Sequence, residues 1–191
     1  PSQTEAQPEA TQAPLQTRAA VKKEKPRSNS SKVYTPGGRE LDVEYAIVDA
    51  DQLVTSNLDD GRVNQDYPQL LQPRDRTRAS SEIQINSIAN NINPALLGES
   101  ATTGDGAPIV SDAGVVESGN GRSLAIRRAY QNGKAGNYRN ALIEQGYDVS
   151  GVEKPVLVRV RRSQLSDEDL IAYTKESNER STLSLSASDL A

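Results

Sequence analysis

Cysteine, histidine, methionine, tryptophan and phenylalanine are all missing from this chain of 191 residues. Without cysteine there is no disulfide and no thiol nucleophile. Without histidine the chain lacks the side chain that titrates nearest neutrality and the commonest metal ligand. Any metal would be a hard cation held by oxygen atoms. Aromatic residues make up 4% of the chain and are all tyrosine, so the core must be aliphatic. No run approaches the roughly 18–20 apolar residues of a membrane span, and no signal peptide is expected. Neither a membrane partner nor secretion is therefore expected. Position 1 is proline rather than methionine, which leads us to expect a piece of a longer polypeptide.

What is present is unevenly spread. Residues 1–32 carry six basic and three acidic side chains, so a net charge of −4 for the whole chain leaves −7 on the remainder. This first stretch is rich in Gln, Pro, Ser, Thr, Ala and Glu without any sustained period, and it reads as a disordered tail or linker. Its cluster Lys22-Lys23-Glu24-Lys25-Pro26-Arg27 suits either a nucleic acid or other anionic partner, or a solubilising linker.

Order is expected from about Val33. Leu41, Val43, Tyr45 and Ile47 alternate with polar residues as in a half-buried strand, and Pro36-Gly37-Gly38 supplies a turn from a short strand at Lys32–Thr35. Residues 49–78 are polar and broken by turn signals. A loop that long inside a compact domain usually serves a function or faces a partner. Ser80 or Ser81 is the expected cap of a helix with Ile85, Ile88, Ala89 and Ile92 on one face, ended by Asn93-Pro94. A second short helix is expected over Asn137–Gln145. Pro155–Arg161 is the strongest strand, with Val156, Val158 and Val160 on one face and Arg159 and Arg161 on the other. Ser166-Asp167-Glu168-Asp169 opens a further helix with Leu170, Ile171 and Thr174 inward. Ser186 with Asp189 resembles one more cap. Together these pieces give an α+β domain over 33–179, with 180–191 starting another helix or a linker.

The most informative segment lies between the two halves. Pro108–Val110 and Val115–Glu117 flank the turn Asp112-Ala113-Gly114 as a hairpin. Ser118-Gly119-Asn120-Gly121-Arg122 follows and runs straight into a helix with Ala125, Ile126, Ala129 and Tyr130 on one face. A glycine-bracketed turn at a helix N-terminus presents unpaired N–H groups and the positive end of the helix dipole, which suit phosphate. Arg122 adds a planar cation. The same glycines also fit a tight turn that needs them for its backbone angles alone.

The order of these elements resembles the ParB/sulfiredoxin superfamily. Leu71-Gln72-Pro73-Arg74 is similar to its opening QPR segment, and Ala107-Pro108-Ile109-Val110 to its next strand. Ser118 to Ala125 stands where ParB proteins carry AGERRLRA, with Gly119, Arg122 and Ala125 in agreement and Asn120 and Gly121 departing from it. Lys175-Glu176-Ser177-Asn178 lies where that family has its ENxxR box. The GNGR variant, with a long polar stretch before QPR, resembles the DdrB-like ParB domains of phage and mobile-element proteins linked to antirestriction and delivered with DNA.

The resemblance implies a small mixed sheet with packed helices that binds a nucleoside triphosphate, CTP or ATP, together with Mg2+. Gly119, Asn120, Gly121, Arg122 and Ser123 would contact phosphate, and Glu176 and Asn178 would sit at the metal. Glu176 is two residues before Asn178 rather than adjacent, a departure from the family's box. Glu176 and Glu117 are the candidate catalytic carboxylates of a weak NTPase. Sulfiredoxin chemistry is excluded for want of a cysteine. The implied partners are nucleotide, DNA and the rest of a larger polypeptide or virion, in the host cytoplasm after delivery or packaged in a phage particle. Arg127 and Arg128 are either DNA contacts or a solvated helix face. The competing readings are a DNA-binding or nuclease module, and a structural virion protein with a vestigial pocket.

Overall fold

The alternating run at 40–49 and the valine-rich run at 155–161 form the two central strands of a mixed sheet. In the computed structural model, residues 18–19, 29–72 and 78–188 are described, with only the backbone described at 18–19, 78–80 and 179–188. The elements in chain order are β1 (Arg18–Ala19), β2 (Ser30–Tyr34), β3 (Glu40–Asp49), α1 (Arg78–Asn90), β4 (Ile109–Val110), β5 (Val116–Ser118), α2 (Asn120–Gln131), α3 (Gly136–Glu144), β6 (Pro155–Arg161) and α4 (Asp167–Ser188). β1 and β2 lie along one edge of β3, and the sheet continues from β3 through β6 and β4 to β5. The β3–β6 and β4–β5 pairs are antiparallel, whereas β4 runs parallel to β6.

Order starts earlier than expected. β2 begins at Ser30, and Arg18–Ala19 already pairs with Ala46 and Ile47 of β3. The rest of the expected 1–32 tail lies outside the described residues. So do Pro73 and Arg74 of the QPR segment, which fall between Gln72 and the start of α1.

Each face of the sheet is covered. Ala46, Val48, Val110, Val116, Val156, Val158 and Val160 pack against Ile85 and Ala89 of α1, Leu124, Ala125, Ile126 and Ala129 of α2, and Tyr138 and Leu142 of α3. On the opposite face, Val33, Leu41, Val43 and Ile109 pack against Tyr173 of α4, joined by Leu165 and Leu170. A sheet buried on both faces has no solvent side for alternate residues. This is why Arg159, on the face opposite the valines as expected, is fully buried.

Several boundaries move. α1 begins at Arg78, so neither Ser80 nor Ser81 caps it, and Ile92 is buried just beyond its end. α4 starts as expected, with the Ser166 hydroxyl accepting from Asp169 N–H at 3.2 Å. Its buried face holds Tyr173, Thr174 and Ser177, while Ile171 is exposed. It runs unbroken through Ser188, so Ser186 is no helix boundary.

Candidate functional site

The hairpin, the turn and α2 form as the sequence predicts, and the turn divides two environments. Gly119 is the N-cap of α2, with φ 94°, a left-handed conformation that glycine adopts without the Cβ penalty. In front of the turn is a cleft of about 370 Å³ whose wall includes Asn120, Gly121 and Leu124 of α2, Glu82 of α1, and Ser56 and Gln72 of the 53–72 loop. Behind it stand the 98–107 loop and α4.

Asn120 joins the cleft wall together. Its side-chain oxygen accepts from Ser56 N–H at 2.8 Å, and its amide donates to the Tyr67 hydroxyl at 3.2 Å and the Val116 carbonyl at 3.4 Å. The Tyr67 hydroxyl donates to the same carbonyl at 2.7 Å. Asn120 therefore holds the loop to the helix start, and its side chain is spent on the protein. The Ser123 hydroxyl is spent in the same way, on the Gly119 carbonyl at 2.9 Å.

Arg122 faces away from the cleft. Its guanidinium lies against Gly119, donates to the Gly106 carbonyl and reaches Ser118 Oγ at 3.5 Å. Burial pushes its pKa down to about 10, helped by the neighbouring Arg159 charge and opposed by Asp105. Gly106 has φ 79°, and a Cβ there would meet Ser100 Cβ at 2.5 Å and the Gly98 carbonyl at 2.8 Å. Only glycine brings that carbonyl to Arg122.

The region behind the turn is a buried polar network that sequence reasoning did not assign. Arg159 donates to the carbonyls of Ala107 at 2.7 Å, Ser100 at 2.9 Å, Thr102 at 2.7 Å and Asp105. The register of the hairpin slips between Ile109 and Val110, leaving Glu117 as the extra residue of a bulge. Glu117 binds Arg161 through both oxygens, at 2.7 and 3.0 Å, and accepts from the Tyr173 hydroxyl at 2.9 Å. The expected catalytic role of Glu117 is thus corrected: its carboxylate is buried in an ion pair against α4. Arg159 and Arg161 were foreseeable from one signal, the helix expected after β6, which implies that both sheet faces are covered.

Glu176 lies on α4 against the Pro36–Gly38 turn, where a Cβ on Gly37 would come within 3.1 Å of its carboxylate. One of its oxygens is buried without a hydrogen-bond partner. Asn178 is half-buried on the same helix. Neither residue lines the cleft, and no group of three or more acidic side chains able to hold a metal occurs among the described residues. The expected Glu176 and Asn178 metal set does not fit the cleft. Arg127 and Arg128 are both engaged within the protein rather than forming a solvated helix face. Arg127 is buried on the carbonyls of Ala50 and Leu53, and Arg128 binds Glu82 at 3.0 Å and Asn86 at 2.8 Å.

A mixed sheet covered on both faces by helices, with a glycine turn between hairpin and helix, defines an α+β domain of the ParB/sulfiredoxin type. The family model described as the ddrB-like ParB superfamily domain matches residues 36–162, and the chain belongs to that family. The match takes in the polar 49–72 loop and ends before α4. Comparison with curated proteins and with solved structures gives no match. No helix among the described residues is long and apolar enough to cross a membrane.

Proposed function

We propose that the cleft in front of the Gly119 turn binds a nucleoside triphosphate, CTP or ATP, and that the domain acts as a switch or weak NTPase. The observation that carries this reading is the position of the cleft: it ends on the first turn of α2, where N–H groups lack helical partners and the dipole favours an anion, in a chain of the ddrB-like ParB family. Among the described residues no lysine or arginine lines the cleft, but Asp60 and Glu82 do. A bare triphosphate would be repelled there, so the ligand we infer is its Mg2+ complex, with Mg2+ reducing that repulsion. The two carboxylates are already engaged, Asp60 by Arg62 at 2.7 Å and Glu82 by Arg128 at 3.0 Å. The chain has no histidine, and among the described residues no free base lines the cleft, which favours a switch over fast turnover.

The family setting extends the proposal to a phage or mobile-element protein in DNA-linked or antirestriction processes. A structural virion role with a vestigial pocket is the second reading. One observation favours it: Arg122 points to Gly106 rather than into the cleft. Calorimetric titration with CTP, ATP and GTP, with and without Mg2+, separates the two. Saturable binding of one Mg2+-nucleotide is expected. Absence of binding by all three overturns the nucleotide reading and leaves the vestigial one.

A further inference from the structure

The polar stretch before α1 is long for a connection, and the hairpin it forms over residues 57–63 has no apolar anchor. None of the hairpin's residues is buried, whereas Thr55, Ser56 and Asn64 at its base are. The hairpin is held together by its own bonds. Leu58 N–H donates to the Arg62 carbonyl at 2.8 Å, Gly61 N–H to the Leu58 carbonyl at 2.9 Å, and the Asn57 amide to the Gly61 carbonyl at 3.1 Å. Among the described residues, every hydrogen bond from 57–63 to the protein beyond residues 55–64 passes through Asp59. Its carboxylate accepts from Arg127 Nη1 at 3.2 Å and Gln131 Nε2 at 2.9 Å, and its carbonyl from Arg128 Nη2 at 3.0 Å. All three donors stand on α2. The same hairpin contributes Asn57, Asp60, Gly61 and Val63 to the cleft wall.

We propose that Asp59 is a positioning residue: it latches the 57–63 hairpin to α2 as the movable wall of the cleft, and so sets how often the cleft opens. Segments with few buried apolar contacts open at low free-energy cost, and here that cost is concentrated in one residue. The Asp59 side chain is 43% exposed, so water and salt screen its pair with Arg127. Opening also strands no buried donor on α2. Arg127 keeps the carbonyls of Ala50 and Leu53 and the Thr55 hydroxyl, and Arg128 keeps Glu82 and Asn86. Gln131 is exposed and passes to water. The wall can therefore swing while the core beneath it stays intact. What enters the open cleft rests on the nucleotide reading above; the motion itself does not.

The chain has no cysteine, so one introduced thiol gives one signal. Ser56→Cys places it in the cleft wall at the base of the hairpin, at a position 3% exposed. Ser177→Cys places it on α4, at a position 1% exposed and outside the cleft wall. Labelling by a small thiol reagent is followed at each site alone and combined with Asp59→Asn, which keeps the shape and removes the charge. Gln131→Ala, which removes one donor and leaves Arg127 untouched, is the second variant. Asp59→Asn should speed labelling at the Ser56→Cys site by about tenfold, and Gln131→Ala by less. Both should leave the Ser177→Cys rate unchanged. Mg2+-CTP or Mg2+-ATP, whichever wild type binds, should dissociate faster from both variants. An unchanged Ser56→Cys rate in Asp59→Asn, or in Gln131→Ala should the first not fold, overturns the latch. Equal acceleration at Ser177→Cys also overturns it, because Asp59 would then serve the whole fold. If a nucleotide binds and leaves both variants at the wild-type rate, this inference fails and the nucleotide reading stands. If wild type binds no nucleotide, that reading fails and the labelling rates still decide the latch.

Discussion

On the α1–α3 side of the sheet, Val156, Val158 and Val160 meet Ile85, Ala125, Ile126 and Tyr138 in a core that is almost wholly aliphatic. On the α4 side, Arg159, Arg161 and Glu117 share a layer with Val43 and Ile109, paired across the strands with Arg161 and Arg159 respectively. The first side tolerates a change of shape at the cost of lost contacts, because dispersion and burial are not directional. The second depends on geometry, because each buried donor or acceptor left unpaired carries its full desolvation penalty. The Gly119 turn stands at the boundary, with the cleft on one side and the polar network on the other.

Removing Arg159 should be the most damaging single change. Arg159→Met keeps the bulk and leaves the carbonyls of Ser100, Thr102, Asp105 and Ala107 without their donor. We expect a loss of about 4 kcal/mol or more in denaturant unfolding, or failure to fold. A loss under about 1 kcal/mol would show that water reaches these carbonyls and that the contrast between the faces is wrong.

The ion pair beside it gives a sharper test, since its two halves can be removed separately or together. Glu117→Leu leaves the Arg161 guanidinium facing the buried Tyr173 hydroxyl, and should cost about 3 kcal/mol. Adding Arg161→Met should recover most of that loss, because a well-packed apolar pair often equals a buried ion pair. If the double variant is no better than the single, coupling through the pair is not what holds this face.

Much of the aliphatic side was legible from periodicity, and the reason is physical. β3, β6 and α1 bury residues at spacings of two or of three and four, so burial is written locally into the chain. The cleft wall was not legible in that way. It depends on bonds such as Ser56 N–H to Asn120, 64 residues apart, which no local pattern carries; the length of the 49–78 loop was its one signal. The turn itself was read correctly as a strand-to-helix junction. The direction of Arg122 was missed, because it is set by a carbonyl that only the left-handed Gly106 presents.

Alkaline pH acts on the buried tyrosines and the buried arginines in opposite senses. Burial, first among the causes, holds the hydroxyls of Tyr45, Tyr130, Tyr138, Tyr147 and Tyr173 above the ordinary value of 10.0. As pH rises through 10, these groups stay protonated in the fold and ionise in the unfolded chain, so stability falls. Arg122 and Arg159, each pushed down to about 10 chiefly by burial, act in the opposite direction. Above 10 they release protons in the fold while the unfolded chain keeps them, and stability is gained. Five tyrosines outweigh two arginines, and we expect a net loss of about 2 kcal/mol for one pH unit above 10. Unfolding curves at pH about 9 and about 11 test the sign; a gain in stability would mean that the arginines dominate. Tyr138 lies on the aliphatic side, where its hydroxyl accepts from Leu157 N–H, so replacing it by phenylalanine should soften the alkaline loss.

The smallest expected effect comes from the aliphatic side. Ile126 is fully buried on α2 among apolar neighbours. Ile126→Val removes one methylene, leaves no polar atom unpaired, and keeps a β-branched side chain whose rotamer the helix already favours. The loss should be about 1 kcal/mol, from lost transfer energy and a small residual void. Because Ile126 is not part of the cleft wall, nucleotide affinity should stay within about twofold of wild type. Denaturant unfolding and the same titration measure both. A loss above about 3 kcal/mol would mean that this core is packed as exactingly as the polar layer, and the difference between the two faces would then be one of chemistry without a difference in tolerance.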